Sequence, residues 1–293
     1  MPIKSLKTRA SVSGLVFDIL NAVFMVIVSL TILYPFLYLT ATSFAVNPAA
    51  IQPLKLIPPR MTTANYESVF GSTFILRSYG NTIVRVALAM VFVTLASMLT
   101  AYPLANRNLP FRTVFTSVMV FTMFFNGGLI PQYILIRQLR LTNTIFALIL
   151  PSLIPTFNML IIRNFFMTIP AGLEESARVE GAGDYRILFQ IVAPISKPII
   201  ATVVLWTVVG HWNAWFDGML YITDAKKQVL QTVLRQIVIA GQLSTLENQM
   251  GLSTSPDAVK AATIIVATAP VIIFYPFVQK YFVKGIMVGS LKG

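Results

Sequence analysis

Residues 170–194 read PAGLEESARVEGAGDYRILFQIVAP and form the most charged stretch of a chain that is otherwise strongly apolar. Pro170 suits the first turn of a helix, because the first turn leaves its N–H groups unpaired and proline has none to lose. Glu174 and Glu175 follow, where carboxylates are favoured by the positive end of the helix dipole. The first half of this stretch therefore predicts a short polar helix.

The second half of the stretch predicts a turn and another helix. Either Gly181 or Gly183 stops the first helix, and Asp184 can cap the next one. Apolar side chains then recur at helical spacing, which places them along one face; they are Tyr185, Leu188, Phe189 and Val192. Pro194 and Pro198 end this second helix, and the chain then continues as an apolar stretch. An amphipathic helix of this kind is a natural docking element for the groove of a partner protein.

Long apolar stretches lie on both sides of this helix-turn-helix. A helix needs about 20 mostly apolar residues to cross the hydrocarbon core of a membrane. The predicted spans are residues 15–44, 81–104, 114–130, 143–166, 198–222 and 258–282. The charged segment, residues 166–197, then connects the fourth span to the fifth. We predict an all-α membrane protein with a single six-helix domain at 14–285, an N-terminal tail at 1–13 and a C-terminal tail at 286–293.

The composition agrees with a membrane protein and excludes several other classes. Hydrophobic residues make up 56% of the 293 residues, charged residues make up 11%, and the mean hydropathy is +0.76, whereas a soluble domain carries about 25% charged residues. Cysteine is absent and His211 is the single histidine, so we predict no metal site. The net charge of +12 is not arranged as a basic stripe interleaved with aromatics, so we predict no binding to nucleic acid.

The chain lacks the signatures of an enzyme. It has no Gly-x-x-x-x-Gly-Lys-Ser/Thr phosphate loop, so we do not expect it to bind ATP itself. It also has no Ser/His/Asp set and no carboxylate pair arranged for catalysis. We predict a non-catalytic subunit that binds no cofactor of its own.

Charge alone does not orient the spans. The basic residues divide almost evenly between the two sides, and Arg85 is among those placed outside or at the outer membrane boundary. The positive-inside rule therefore does not decide the topology.

Residues 170–194 resemble the EAA loop of binding-protein-dependent ABC importers. In that loop Glu-Ala-Ala is followed at set distances by glycine, isoleucine and proline, and the matching positions are Glu175, Ser176, Ala177, Gly181, Ile191 and Pro194. Ser176 stands where alanine is usual, and Ala193 stands where leucine is usual. The resemblance implies a cytoplasmic loop that enters a cleft on an ATP-hydrolysing subunit. The predicted coupling residues are Glu174, Glu175, Ser176, Ala177, Glu180, Gly181, Ala182, Asp184, Ile191 and Pro194.

Three further stretches extend the resemblance over nearly the whole chain. They are MFFNGGLIP at 123–131, GHWNAWFD at 210–217 and GIMVGSLKG at 285–293. All three are similar to the second permease of the large oligosaccharide importers, in the branch associated with aldouronate, pectin-derived and alginate oligosaccharides. The resemblance implies a type I ABC importer permease in a bacterial inner membrane, with both termini cytoplasmic. It also implies a homologous second permease, two ATP-binding subunits that use ATP and Mg, an extracytoplasmic solute-binding protein and an oligosaccharide cargo.

Candidates for the substrate path lie mainly in the fifth span. Polar and aromatic side chains cluster there, namely His211, Trp212, Asn213, Trp215 and Asp217. Ionisable residues within a span indicate a functional site, and aromatic faces stack on sugar rings. Equally, tryptophan is a common interface anchor, and His211 can serve a contact between helices. Asn126 and the two glycines after it interrupt the third span, where free backbone groups could line a cavity or the glycines could serve helix packing.

The nature of the cargo stays open at this point. Basic residues outnumber acidic ones on the predicted outer side, which would attract uronates or an acidic face of the binding protein. We expect acidic oligosaccharides such as alginate, on resemblance alone. The alternatives are a neutral oligosaccharide or, from another class, an ion-coupled secondary transporter in which Asp217 is the only plausible acid.

Overall fold

The computed structural model describes residues 12–51, 56–239 and 255–290. Within these ranges the chain is helical, with an isolated β-bridge between Ala45 and Met61 and no β-strand. The α-helices are α1 (Val12–Ser43), α2 (Ala64–Gly71), α3 (Thr73–Ala105), α4 (Arg112–Phe124), α5 (Leu129–Gln138), α6 (Thr156–Phe166), α7 (Ala171–Val179), α8 (Asp184–Ile187), α9 (Ala193–Ile195), α10 (Lys197–Asn213), α11 (Phe216–Tyr221), α12 (Leu230–Ile239) and α13 (Pro256–Ser290). The predicted all-α class is confirmed.

The predicted spans take two forms. Three stretches are single helices long and apolar enough to cross a membrane, namely Gly14–Ser43, Thr73–Ala105 and Pro256–Ile273. Three more consist of helix pairs that are bent at a short break, by 110° between α4 and α5, by 52° between Ile145–Ser152 and α6, and by 88° between Asp184–Ile195 and α10. In the described residues, up to six spans result when each bent pair counts as one.

Several predicted boundaries are corrected by local chemistry. The second span begins at Thr73 rather than 81, because Ser72 caps the helix by accepting a hydrogen bond from the Ile75 N–H at 3.3 Å. The fourth begins as two 3₁₀-helices, Ile145–Leu148 and Leu150–Ser152, because Pro151 and Pro155 interrupt a regular α-helix.

The ends of three other spans also differ from prediction. The first helix of the third span, α4, ends at Phe124, and α10 of the fifth span ends at Asn213; each is followed by a separate short helix. The last helix continues to Ser290, which takes in most of the predicted C-terminal tail. Of the predicted N-terminal tail, residues 1–11 lie outside the described residues.

The described residues fall into two compact units. The first comprises 12–51, 56–69 and 255–265. Its best-defined feature is Asn65, which is fully buried and donates from Nδ2 to the carbonyls of Ser43 (2.9 Å) and Ala45 (3.0 Å). These carbonyls lie at the C-terminal end of α1, where a helix leaves its acceptors unpaired. Asn65 therefore fastens α2 to the end of α1.

The second unit comprises residues 70–239 and 266–290 and is organised around α3, which packs along α6 and α10. One buried cluster joins these helices to the charged segment between the fourth and fifth spans. Its members are Met98, Ala101 and Leu104 of α3, Met159, Ile162 and Phe166 of α6, Ala177 of α7, Val203 of α10, and Ile187, Leu188 and Val192. The helix-turn-helix is thus part of the membrane domain's own core.

Candidate functional site

The charged segment folds as the predicted helix-turn-helix, and Gly181 makes its turn. Gly181 has φ +83°, in the left-handed region that glycine adopts without steric cost. The Ala182 N–H donates to the Ala177 carbonyl at 2.9 Å, and the Gly181 N–H donates to the Arg178 carbonyl at 3.0 Å. This pair of bonds is a Schellman motif, which closes the end of α7. Gly183 has an ordinary φ of −77° and precedes α8, so of the two candidate glycines Gly181 stops the helix.

Asp184 does not cap α8 as predicted. No side-chain hydrogen bond caps this helix; instead Asp184 Oδ1 accepts a hydrogen bond from Arg178 Nη2 at 2.9 Å. The carboxylate is drawn across the turn because Arg178 lies in the last turn of α7. Both side chains are largely exposed, so this ion pair contributes at most about 1 kcal/mol.

The apolar residues of the second helix divide between two faces rather than sharing one. Leu188 and Val192 are buried together with Ile187, whereas Tyr185 and Phe189 are 74% and 42% exposed. A π-helical turn, Leu188–Val192, lies within this stretch. Positions 188 and 192 form one stripe and 185 and 189 form the neighbouring stripe, and only the first of these faces the core.

The other predicted coupling residues lie mostly on the outer surface. Glu174 is half-buried and accepts a hydrogen bond from Tyr102 Oη at 3.3 Å, which links α7 to α3. Glu175, Glu180 and Pro194 are exposed, and Ser176 is exposed with its hydroxyl donated to the Gly172 carbonyl. Ala182 and Ile191 pack partly against the core.

At the far end of α10, a buried arginine holds the fifth span in place. The Arg85 side chain of α3 is 1% exposed and uses all five of its N–H groups. Nε donates to His211 Nδ1 (3.3 Å), Nη1 to the Ala214 carbonyl (3.3 Å) and to Asp217 Oδ1 (3.2 Å), and Nη2 to the Leu148 carbonyl (3.3 Å) and to Asp217 Oδ2. The Arg85 side chain is therefore enclosed by protein rather than exposed at the surface.

This network employs two of the predicted substrate residues. A guanidinium N–H can only donate, so His211 Nδ1 carries a lone pair, and the ring is buried. Asp217 forms an ion pair with Arg85 and also accepts from the Gly218 N–H at 2.8 Å. Both side chains join α3 to the end of the fifth span, and the Asp217 carboxylate is engaged by a positive charge of the protein itself.

The remaining aromatic candidates differ in exposure. Trp212 is buried, donates from Nε1 to the Ala267 carbonyl at 3.1 Å, and meets the Tyr79 ring edge-on at 5.5 Å; it is a packing residue. Trp215 is half-buried, and the Arg235 guanidinium lies 3.6 Å from its ring centroid, a cation–π geometry.

Asn213 and Asn126 lie at two other exposed positions. Asn213 ends α10 with its side chain exposed. Asn126 Oδ1 accepts a hydrogen bond from the Gly128 N–H at 3.0 Å, and Gly128 has φ +88°. Asn126 thus builds the turn that bends α5 away from α4, and the structure does not bring it together with the fifth-span cluster through any contact among the described residues.

Sequence reasoning overlooked Arg85, although a signal for it exists. Arg85 is the single charged residue of the predicted second span, and Asp217 is the single carboxylate of the predicted fifth. Opposite charges that each stand alone in an apolar span are expected to pair. Among the described residues, no group of three or more His, Asp or Glu is placed to hold a metal ion.

Comparison with known proteins identifies the family. A family model described as "Binding-protein-dependent transport system inner membrane component" matches residues 94–288. The chain belongs to this family. The matched region contains the helix-turn-helix and the fifth-span cluster but begins after Arg85.

Individual relatives of the permease match it along most of its length. Protein LplC of Bacillus subtilis (strain 168) is 39% identical and covers 96% of both chains. The polygalacturonan/rhamnogalacturonan transport system permease protein YtcP of the same organism is 38% identical, over 94% of this chain and 98% of its own. The crystal structure of a bacterial ABC transporter involved in the import of the acidic polysaccharide alginate matches with a TM-score of 0.86 and 32% identity, over 93% and 98% of the two chains.

These matches confirm the predicted resemblance to permeases of the carbohydrate ABC importer branch. They also place the permease in the inner membrane as an integral component, in agreement with its apolar helices.

Proposed function

We propose that this permease transmits ATP hydrolysis by partner subunits into the import of oligosaccharides that carry uronate carboxylates. The observation that carries the proposal is the buried cluster shared by the helix-turn-helix and the spans. Ala177, Leu188 and Val192 lie in one core with the ends of α3, α6 and α10. Because packed interiors transmit displacement rather than absorb it, a push on the loop reaches three membrane helices directly.

The outer face of the same segment supports docking of an ATP-binding subunit. Val179 is 89% exposed, and Tyr185 and Phe189, which follow it in the sequence, are also exposed. Glu175 adds a carboxylate near the start of this surface. An amphipathic helix pair with a free apolar face is a recurrent partner for a hydrophobic groove. Docking there fixes the loop, and with it both chain termini, on the cytoplasmic side.

Movement follows from the rigidity of the loop. The Schellman turn at Gly181 and the pair between Arg178 and Asp184 hold the two helices as one piece. Closure of two ATP-binding subunits, which use ATP and Mg, would shift this piece and switch the spans between inward-facing and outward-facing arrangements. A homologous second permease completes the pathway, and an extracytoplasmic solute-binding protein delivers the cargo, as the family name implies.

An acidic cargo is supported by two kinds of observation. One relative is named for polygalacturonan and rhamnogalacturonan transport, and the similar solved structure belongs to an alginate importer. In this chain, the exposed Arg235 lies over Trp215 at the end of the fifth span, which combines a guanidinium with an apolar ring. Such a pair suits a sugar carboxylate because arginine binds carboxylates in a planar, bidentate manner. Asn213 can supply a further hydrogen bond.

The test is ATP hydrolysis by the complex in liposomes, with the solute-binding protein presenting alginate, pectin-derived or malto-oligosaccharides. We expect the acidic sugars to stimulate hydrolysis in the wild type. Gly181→Ala should abolish most of this stimulation, since a left-handed backbone costs alanine about 1–2 kcal/mol. Gly183→Ala is the matched control, because Gly183 has an ordinary φ and open space around its Cα.

Three outcomes would decide against parts of this proposal. Stimulation by malto-oligosaccharides alone would favour a neutral cargo. Equal effects of the two glycine variants would remove the coupling role of the turn. Uptake driven by an ion gradient without ATP-binding subunits would favour a secondary transporter. The ion pair with Arg85 argues against that reading, because it leaves the Asp217 carboxylate unavailable to a coupling ion.

A further inference from the structure

Two arginines converge at the end of α3 without any acidic partner. The Nε atoms of Arg112 and Arg163 both donate to the Leu104 carbonyl, at 2.9 and 3.0 Å. Neither forms an ion pair with a described residue, and the sequence contains no aspartate or glutamate between Glu67 and Glu174. Two guanidinium groups are therefore held side by side with one carbonyl oxygen between them.

Most of the terminal N–H groups of these arginines remain available. Among the described residues, Arg112 Nη2 meets only the Met167 sulfur at 3.2 Å, a weak acceptor, and Arg112 Nη1 and both Nη atoms of Arg163 have no hydrogen-bond partner. The two guanidinium groups are both positively charged and bind the same carbonyl, so they repel each other. An anion placed between them would relieve that repulsion.

A groove with further anion donors opens beside the two arginines. Its volume is about 450 Å³, and Thr113 and Ser117 line it with hydroxyl groups. Thr116 also lines the groove, but its hydroxyl donates to the Arg112 carbonyl at 2.8 Å. Arg112 and Thr113 of this lining belong to the first turn of α4, which begins after Phe111 with no capping side chain. The N–H groups of an uncapped first turn attract anions. Charge, hydroxyl groups and helix terminus thus favour one kind of ligand, a phosphate.

The rest of the groove is apolar and continues along a face that suits hydrocarbon. Val120 and Phe121 complete its lining, and Val114, Phe115 and Val118 of α4 are each more than half exposed. A phosphate that binds here has room for an acyl chain beside α4, within a helix pair that has the apolar character of a span.

We propose that Arg112 and Arg163 form a binding site for the phosphate headgroup of an anionic phospholipid, whose acyl chain lies along α4. This site is separate from the cargo and does not rest on the proposed function. Basic pockets at the ends of spans are where anionic headgroups are recognised. The bound lipid would cover two otherwise unpaired cations and brace the junction between α3, α4 and α6.

The test is native mass spectrometry of the purified complex in micelles that contain equal amounts of phosphatidylglycerol and phosphatidylcholine. We expect the wild type to retain phosphatidylglycerol preferentially. Arg112→Gln and Arg163→Gln should each weaken this retention about fivefold. The matched controls are Arg137→Gln and Arg140→Gln, each of which removes one charge from an exposed arginine outside the groove.

A second variant separates loss of lipid binding from misfolding of the protein. Ser117→Trp fills the groove but leaves both bonds to the Leu104 carbonyl intact, so it should expel the lipid without loss of thermal stability in lipid-free detergent.

Retention of phosphatidylglycerol by Ser117→Trp, equal retention of both lipids by the wild type, or an equal loss in the control variants would overturn the proposal. Displacement of the lipid by millimolar inorganic phosphate would assign the site to a free anion instead. Release of a protein subunit by the glutamine variants, with lipid retention unchanged, would make the groove a protein interface and would also overturn the proposal.

Discussion

Arg85 illustrates how a single side chain can organise a membrane domain. Its five donors reach α10, the loop before α11, Asp217 of α11 and the 3₁₀-helix at Ile145–Leu148. A buried charge is tolerated only when it is paired and hydrogen-bonded, and every donor of this guanidinium has an acceptor. Removal of the arginine would leave the Asp217 carboxylate without its counter-charge in a site that is mostly closed to water.

We therefore expect Arg85→Met to lower the free energy of unfolding by about 3–5 kcal/mol, the cost of breaking a buried pair. The double variant Arg85→Met with Asp217→Leu should recover most of this loss, because no unpaired charge remains. Unfolding in detergent measures both variants, with Arg137→Met as an exposed control. Equal destabilisation in the single and double variants would show that the two charges are not energetically coupled.

Gly218 marks the closest approach of two elements after the fifth span. A Cβ at this position would overlap Thr232 Oγ1 and lie 2.8 Å from Val229 Cγ2. We expect Gly218→Ala to cost about 1–3 kcal/mol, the range for overpacking. Gly210→Ala, where a Cβ meets nothing within 4 Å, should leave the melting temperature unchanged. Thermal unfolding of the two variants distinguishes them, and a stable Gly218→Ala protein would mean that α12 moves aside freely.

At the scale of elements, the helix-turn-helix has two faces with different roles. The inner stripe, which contains Leu188 and Val192, is buried with the ends of the spans, and the outer stripe, which contains Tyr185 and Phe189, is exposed. The inner face therefore anchors the segment, and the outer face is free for a partner.

The adjacent residues Leu188 and Phe189 provide a direct test of this division. Leu188→Ala should destabilise the permease by about 2–5 kcal/mol, because it opens a cavity in a packed core. Phe189→Ala should change stability little but weaken retention of the ATP-binding subunits during purification. Melting temperature and subunit stoichiometry are the two readouts. If Phe189→Ala retains those subunits fully, the outer stripe is not the docking face.

At the scale of the whole molecule, the topology can be tested by chemical labelling, because the chain contains no cysteine. Glu180 and Lys226 are exposed and lie before and after the fifth span. In spheroplasts, a membrane-impermeant maleimide should label Lys226→Cys and should label Glu180→Cys only after the membrane is permeabilised. The reverse pattern would invert the proposed orientation.

Bent spans are the feature of the molecule that periodicity predicted least well. The sequence places the polar turn at Asn126, but it does not reveal that α5 leaves at 110°. Apolar composition is nearly the same in a straight helix and in a bent pair, so hydropathy alone cannot separate them. Likewise, the stripe at 185–192 has helical spacing throughout, and only its neighbours decide which side is buried.

The sequence by itself determined the membrane class, the six apolar segments, the helix-turn-helix with its glycine turn, and the resemblance to importer permeases. These features are local in the chain, since they depend on composition, spacing and the conformational freedom of one residue. Only the tertiary structure decided that Arg85 meets His211 and Asp217, that Trp212 is a packing residue, and that Arg112 and Arg163 share a carbonyl. Those contacts join residues far apart in sequence, and no local pattern records which side chains the packing of helices will bring together.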